Sequence, residues 1–275
     1  MYNFELLALY NNSWGDFDFN ATLGGNLYKV NNQTIVTTAK DMKIRDVVAL
    51  MSFNEVSVEP YSYRKQINSV YGAVNLGWKH MLYFDATLRG DQSSTLPISN
   101  NMYIYPSFSG SFVFSELLKL GDKLPYGKVR MSWAQVGSDT DPYQLGLVYT
   151  KSKFAYPGYT IGYISNGTIP NKDLKPTKTN SFEMGLELKF LKNRIGLDFT
   201  YYSQLSKNQI MGMASSSTSG YGYRLINAGE IENKGVEIAL NTRPIQTKDF
   251  SWDLNFNFSK NSNKVKKLVD DMDMF

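Results

Sequence analysis

The chain has 275 residues and a formal net charge of +4, with aromatics at 14%, charged residues at 20% and no cysteine. The lack of cysteine excludes a disulfide scaffold and thiolate metal sites, and no apolar run reaches the 18 residues that a membrane-spanning helix needs. The cations are spread out, the densest cluster being Lys264, Lys266 and Lys267, so nothing in the balance points to nucleic acid.

Met1 is followed by YNFELLALY, with no basic leader and no small-residue cleavage site, so no signal peptide is expected there. The first clear element is FDFNATLGG, where Phe17, Phe19, Ala21 and Leu23 alternate with Asp18, Asn20 and Thr22. Period two marks a strand with one apolar face. A long connection is expected over 31–62, with a weakly helical KIRDVVALMSF at 43–53. VYGAVNLGWK then sets Val70, Val74, Leu76 and Trp78 against Tyr71, Asn75 and Lys79. After a turn at His80, LYFDATLRGD sets Leu82, Phe84, Ala86 and Leu88 against Tyr83, Asp85, Thr87 and Arg89. DQSSTLPISNN is a long connection, SFSGSFVFS a strand carrying Phe108, Phe112 and Phe114, and LLKLGDKLPYG a short connection. VRMSWAQVG offers Val129, Met131 and Trp133, followed by a long Gly-, Ser- and Tyr-rich stretch over 138–178. SFEMGLELKF and IGLDFTYYS flank a hairpin turn at Lys192 and Asn193. A long loop is expected at about 206–228. NAGEIENKGVEIAL and FSWDLNFNFSKN close the series, while VKKLVDDMDMF does not read as a final barrel strand.

These strands are long for a globular sheet, and their polar face is Asp, Asn, Glu and Lys, strand after strand. The apolar face carries large aromatics near strand ends, and short turns alternate with long loops. An outward apolar band with aromatic girdles and a polar interior is what a transmembrane barrel requires. The fold class is therefore all-β: an antiparallel transmembrane β-barrel segment of about ten long strands with long extracellular loops. Ten strands enclose no large lumen alone, so residues 1–275 are expected to be part of a bigger barrel. In NAGEIENKGVEIAL the apolar phase slips, and a bulge is expected at 233–235, where Gly235 suits one. Val236, Ile238 and Leu240 are expected to face lipid and Glu237 the lumen, with Glu230, Glu232 and Lys234 above the bilayer.

Six strings in order resemble the SusC/RagA family of TonB-dependent outer-membrane transporters: SVYGAVNLGWKHMLYFDATLRGDQSSTLP, YPSFSGSFVFSELL, VRMSWAQVGSDTDPY, NKDLKPTKTNSFEMGLELKFLKNRIGLDFTYY, NAGEIENKGVEIAL and FSWDLNFNFSKNSNKV. The resemblance covers about residues 14–267. It implies a 22-strand barrel with an N-terminal plug, a SusD-like surface lipoprotein as lid, and force transmitted by TonB. Its implied cargo is a large nutrient, an oligosaccharide or a peptide. No plug, TonB box or terminal barrel strands are legible in this chain, so a partial receptor barrel domain is expected over 1–275.

No constellation for catalysis is present. His80 is the sole histidine and sits in an expected turn, so a His–Cys zinc site and a His-based triad are both unsupported. Asp139 and Asp141 in GSDTDPY are a calcium candidate, although turn chemistry explains them equally well. Glu183, Glu187, Glu230, Glu232 and Glu237 line a wet lumen more simply than they form an acid pair. No cofactor, metal or catalytic residue is assigned. Tyr156, Tyr159, Tyr163, Tyr221 and Tyr223 are the candidates for substrate contact, each offering an apolar ring and a hydroxyl. The expected function is energy-coupled nutrient import across the outer membrane, in contact with its lipid. The alternatives are a passive porin-type channel and a soluble β-sandwich carbohydrate-binding module.

Overall fold

A computed structural model describes residues 1–119, 121–151, 158–159, 161–164 and 167–268. Six long strands come first: β1 (Tyr2–Trp14), β2 (Phe17–Met42), β3 (Phe53–Trp78), β4 (Leu82–Ser93), β5 (Met102–Val113) and β6 (Tyr126–Ser138). A loop follows with three short strands, β7 (Tyr149–Lys151), β8 (Gly162–Ile164) and β9 (Thr168–Ile169). Four more long strands complete the chain: β10 (Thr177–Phe190), β11 (Ile195–Ala214), β12 (Tyr223–Gln246) and β13 (Ser251–Lys267). One short helix, α1 (Phe114–Leu118), lies in the turn before β6. The ten long strands form one antiparallel meander in the order β1-β2-β3-β4-β5-β6-β10-β11-β12-β13.

Register explains why the alternation matters. Residues directly opposite in an antiparallel pair share a face. One face runs through Ala21–Val74, Val74–Ala86, Ala86–Phe108, Phe108–Trp133, Trp133–Phe182, Met184–Tyr201, Phe199–Ile238 and Ile238–Phe258. The rings of Phe108 and Trp133 stack at 6.1 Å along it. The other face runs through Asn20–Asn75, Asn75–Asp85, Asp85–Ser109, Ser109–Ser132, Ser132–Glu183, Glu183–Tyr202, Thr200–Glu237 and Glu237–Ser259. Among the described residues no second sheet covers the apolar face. Phe84, Phe108, Met131 and Trp133 stay open on it, which a soluble sandwich would not tolerate.

Several boundaries differ from the sequence expectation. The connection over 31–62 is mostly strand: β2 and β3 each run 26 residues and pair as far as Met42–Phe53. Its expected helix shrinks to one 3-10 turn, Leu50–Ser52. The loop over 206–228 likewise contracts to 215–222. These outer halves are polar or mixed on both faces, so period two fades while backbone pairing continues. β1 was invisible for the same reason, since Leu7 and Leu9 sit on the face opposite Leu6 and Ala8.

The expected bulge at 233–235 is absent. The β11–β12 ladder is continuous there, from Lys207–Glu230 to Thr242–Ile195. The irregularity lies on the other side of β12, where the β13 register shifts between Glu230 and Ile231. Gly235 has a different purpose: the Tyr202 ring crosses it, and any Cβ would collide with that ring. Lys234, Glu232 and Glu230 simply continue the face of Val236 beyond the apolar band. His80 lies in its turn with φ 54° and an exposed ring.

Candidate functional site: polar wall and loop cluster

The polar face carries a connected set of charged and hydroxylic side chains. At its centre Arg130 donates to Asp198 at 3.0 and 3.2 Å and to Thr200 at 2.7 Å, with Glu183 at 3.9 Å. Arg130 lies flat because its cross-strand partner is Gly185, where a Cβ would strike the guanidinium. Glu237, Asn257 and Ser259 join Arg130, Asp198 and Thr200 around a depression of about 630 Å³. Further along, Asn75 donates to Asp85 at 2.5 Å, and Ser109 donates to the same carboxylate at 2.7 Å. Arg89 bridges Asp91 at 2.9 Å and Ser69 at 3.0 Å, while Tyr105 donates to Asp91 and Tyr71 to Glu5. Such a wall presents hydrogen-bonding groups to water and polar solutes along its length.

Where the long strands end, the loops fold onto this face around a small core. Leu174 is fully buried, with Leu96 and Tyr103 nearly so, and Tyr105, Leu145, Ile210 and Leu225 packed against them. Asn227 pins the segment beside Leu174 by accepting from the Lys175 N–H and donating to its carbonyl, both at 2.7 Å. Asn208 and Gly229 face each other with φ of 56° and 84°, a paired left-handed kink. It sits just below the level where Ile210 and Leu225 join the core.

Asp139 anchors the start of the same loop. Its carboxylate pairs with Lys65 at 2.7 Å and accepts from Ser93 at 2.5 Å and Thr95 at 3.2 Å. The calcium reading of Asp139 and Asp141 is therefore set aside: an ammonium and two hydroxyls already occupy the carboxylate. Among the described residues no group of three or more metal-ligating side chains exists. Calcium or a chelator is expected to leave protease protection of the 139–176 loop unchanged. Asp139→Asn is expected to loosen it by about 1–3 kcal/mol, the worth of a charged hydrogen-bond set. Limited proteolysis reads both outcomes.

Of the five tyrosines, Tyr156 lies outside the described residues. Tyr159 and Tyr163 are exposed, Tyr163 standing opposite Thr150 in the β7–β8 ribbon. Tyr223 opens β12 and pairs with Thr168 of β9, and Tyr221 sits in the preceding turn with its N–H on Ser219. β9 thus ties the loop bearing Tyr159 and Tyr163 to the strand bearing Tyr223. Sequence reasoning missed the Arg130–Asp198–Thr200 cluster and the Asp139–Lys65 anchor. Both join residues 68–74 positions apart, and only the register reveals them.

An apolar depression of about 610 Å³ opens elsewhere, between Ala8, Ala21, Val74, Ala86 and Phe108 on the apolar face. Small side chains there leave a shallow apolar dent. One face for hydrocarbon, the other for water and long loops at one end together define the wall of a transmembrane β-barrel. The chain belongs to the TonB dependent receptor-like beta-barrel family, which it matches over residues 2–272. TonB-dependent receptor P3 of Formosa agariphila is 29% identical over 282 residues, 98% of this chain and 28% of that protein. TonB-dependent receptor SusC of Bacteroides thetaiotaomicron is 30% identical over 225 residues, 78% of this chain and 22% of that protein. The RagAB peptide transporter superposes with a TM-score of 0.87 at 22% identity, over 97% of this chain and 30% of that one. The chain thus spans less than a third of the length of these relatives. Proteins of this family reside in the outer membrane, which places the apolar face against lipid and the polar face in the lumen.

Proposed function

We propose that this chain forms one sector of the wall of a larger, TonB-energised importer that works with a SusD-like surface lipoprotein. The cargo on this reading is a large polar nutrient, an oligosaccharide or a peptide, and passage involves no bond chemistry. Residues 1–275 belong to the receptor barrel, and the gating plug and remaining strands complete it. The observation that carries the reading is the continuous polar wall, from Asn75 and Asp85 through Arg130 and Asp198 to Glu237, backed by an uninterrupted lipid-facing surface. Among the described residues the two sheet edges, β1 and β13, each pair with one strand, as a sector of a closed barrel requires. The tyrosines of the loop cluster, Tyr156, Tyr159, Tyr163, Tyr221 and Tyr223, are assigned to cargo contact, where an aromatic face stacks on a sugar ring or peptide side chain.

Deleting the full-length gene and measuring growth on single glycans and on peptides tests the import. Loss of growth on one class is the expected result. Growth unchanged on all of them refutes it. Collapsing the proton gradient separates the mechanism: uptake stops for an energised importer and continues for a passive pore. Replacing Tyr159, Tyr163, Tyr221 and Tyr223 together with alanine is expected to weaken cargo binding roughly tenfold or more, from about 1 kcal/mol per stacking ring. Unchanged binding removes the tyrosines from the path.

A further inference from the structure

The outward face changes character abruptly at the loop end of β10–β13. On β12 the lipid-facing series Leu240, Ile238, Val236 is followed by Lys234, Glu232 and Glu230. On β13 Phe256 and Phe258 are followed by Lys260 and Lys264, which stand opposite Val236 and Glu232. On β11 the same face reaches Lys207, and on β10 it reaches Lys178, directly opposite Lys207. Lys266 also comes to this face, 3.0 Å from Glu232. The patch is about 15 Å across the four strands and about as tall. It begins one side chain past the apolar band on β12 and β13, and two or three past it on β10 and β11, where Asn180, Ser203 and Leu205 intervene.

Its internal ion pairs leave cations in excess. Glu230 takes Lys207 at 3.0 Å, and Glu232 takes Lys234 at 2.7 Å as well as Lys266. Hydrogen bonds from Lys234 and Lys266 hold the Glu232 carboxyl below its ordinary range, so it stays charged. Lys178, Lys260 and Lys264 make no ion pair among the described residues. Lys178 also stands directly opposite Lys207, whose charge Glu230 already answers, so Lys178 is left without a counter-charge among the described residues. The rest of the sheet does not share this pattern. Just past the band on β2–β6 the outward positions are Leu27, Asn68, Gln92, Met102 and Gln135, and further out β2 and β3 carry only the separated cations Lys29 and Arg64.

We propose that this lysine patch on β10–β13 binds the phosphate-bearing headgroups of outer-leaflet lipids and so fixes one sector of the barrel against charged lipid. A lipid phosphate reaches the patch because its acyl chains pack on the aromatic band directly below. Free phosphate has the charge without that anchor, and each lysine near an anionic lipid surface contributes about a fivefold factor in affinity.

The test uses the purified full-length protein in neutral detergent, with native mass spectrometry counting retained lipid. The probes are phosphatidylglycerol and phosphatidylcholine. Wild type is expected to retain phosphatidylglycerol in preference. Lys178→Gln, Lys260→Gln and Lys264→Gln together are expected to weaken that retention at least tenfold, with heat-modifiable gel mobility unchanged. Lys29→Gln, an outward lysine far from the patch on β2, is expected to change nothing and controls for general charge. Equal retention of the two lipids by wild type overturns the proposal, as does undiminished retention by the triple variant. Full competition by millimolar inorganic phosphate overturns it too, by making the patch a site for the free ion.

Discussion

Ile238→Lys is expected to destabilise the full-length protein in bilayers sharply, whereas Ala239→Lys, one residue along, leaves its stability nearly unchanged. Ile238 stands between Phe199 and Phe258 in the middle of the lipid-facing band. A lysine at that depth of a barrel costs about 2–4 kcal/mol. Against an ordinary stability of about 5–15 kcal/mol that is a large share, and it shows as a lower urea midpoint. Ala239 points the other way, between Asp198 and Asn257, where water and a carboxylate receive an ammonium. Urea titration in lipid vesicles, followed by heat-modifiable gel mobility, measures both variants. Equal behaviour of the two would mean that the faces have been assigned the wrong way round, or that the strand does not cross the membrane.

Leu174→Ala is expected to have the largest effect among the loop residues. Leu174 has no exposed surface and closes the small core with Leu96 and Tyr103. Truncating a fully buried leucine costs about 2–5 kcal/mol through lost transfer energy and the cavity left behind. The loop core is small, so the loss falls on local order while the transmembrane ladder survives. Protease sensitivity within 139–176 should therefore rise while the gel-shifted barrel form persists. Asn227→Ala should act in the same direction, since it frees the Lys175 backbone. A loop that stays resistant in the Leu174 variant would show that strand pairing, through β9 and β12, holds it instead.

What could be read in advance follows the environment of each residue. Wherever one face meets lipid, as in Phe182, Met184, Leu186 and Leu188, the alternation is strict and the strand plain in the sequence. Where both faces meet water, as in the outer part of β2 and β3, nothing forces the pattern, and Thr37, Thr38 and Ser57 pass for a loop. The displaced bulge has the same origin. The charge in GEIENK reads as a change of backbone phase, yet the backbone keeps step and only the outward face changes, from apolar to charged. Val236 and Glu237 do lie on opposite faces, as the alternation implied. The loop tyrosines are picked out by composition alone, because loops rich in Tyr stand out. The Arg130–Asp198 pair is not, because Arg130 and Asp198 sit on strands two apart and nothing local to either residue announces the other.

Gly185 and Gly235 each sit beneath a long side chain, Arg130 and Tyr202, and Gly24 does the same for Tyr71. In a conduit the consequence is one of bore. An arginine or tyrosine standing upright would jut into the channel and throttle it. Laid over a glycine, it adds its charge or hydroxyl to the lining while the calibre stays open. A side chain as small as alanine at these positions would thus act less as a fault in the wall than as a constriction in the pipe.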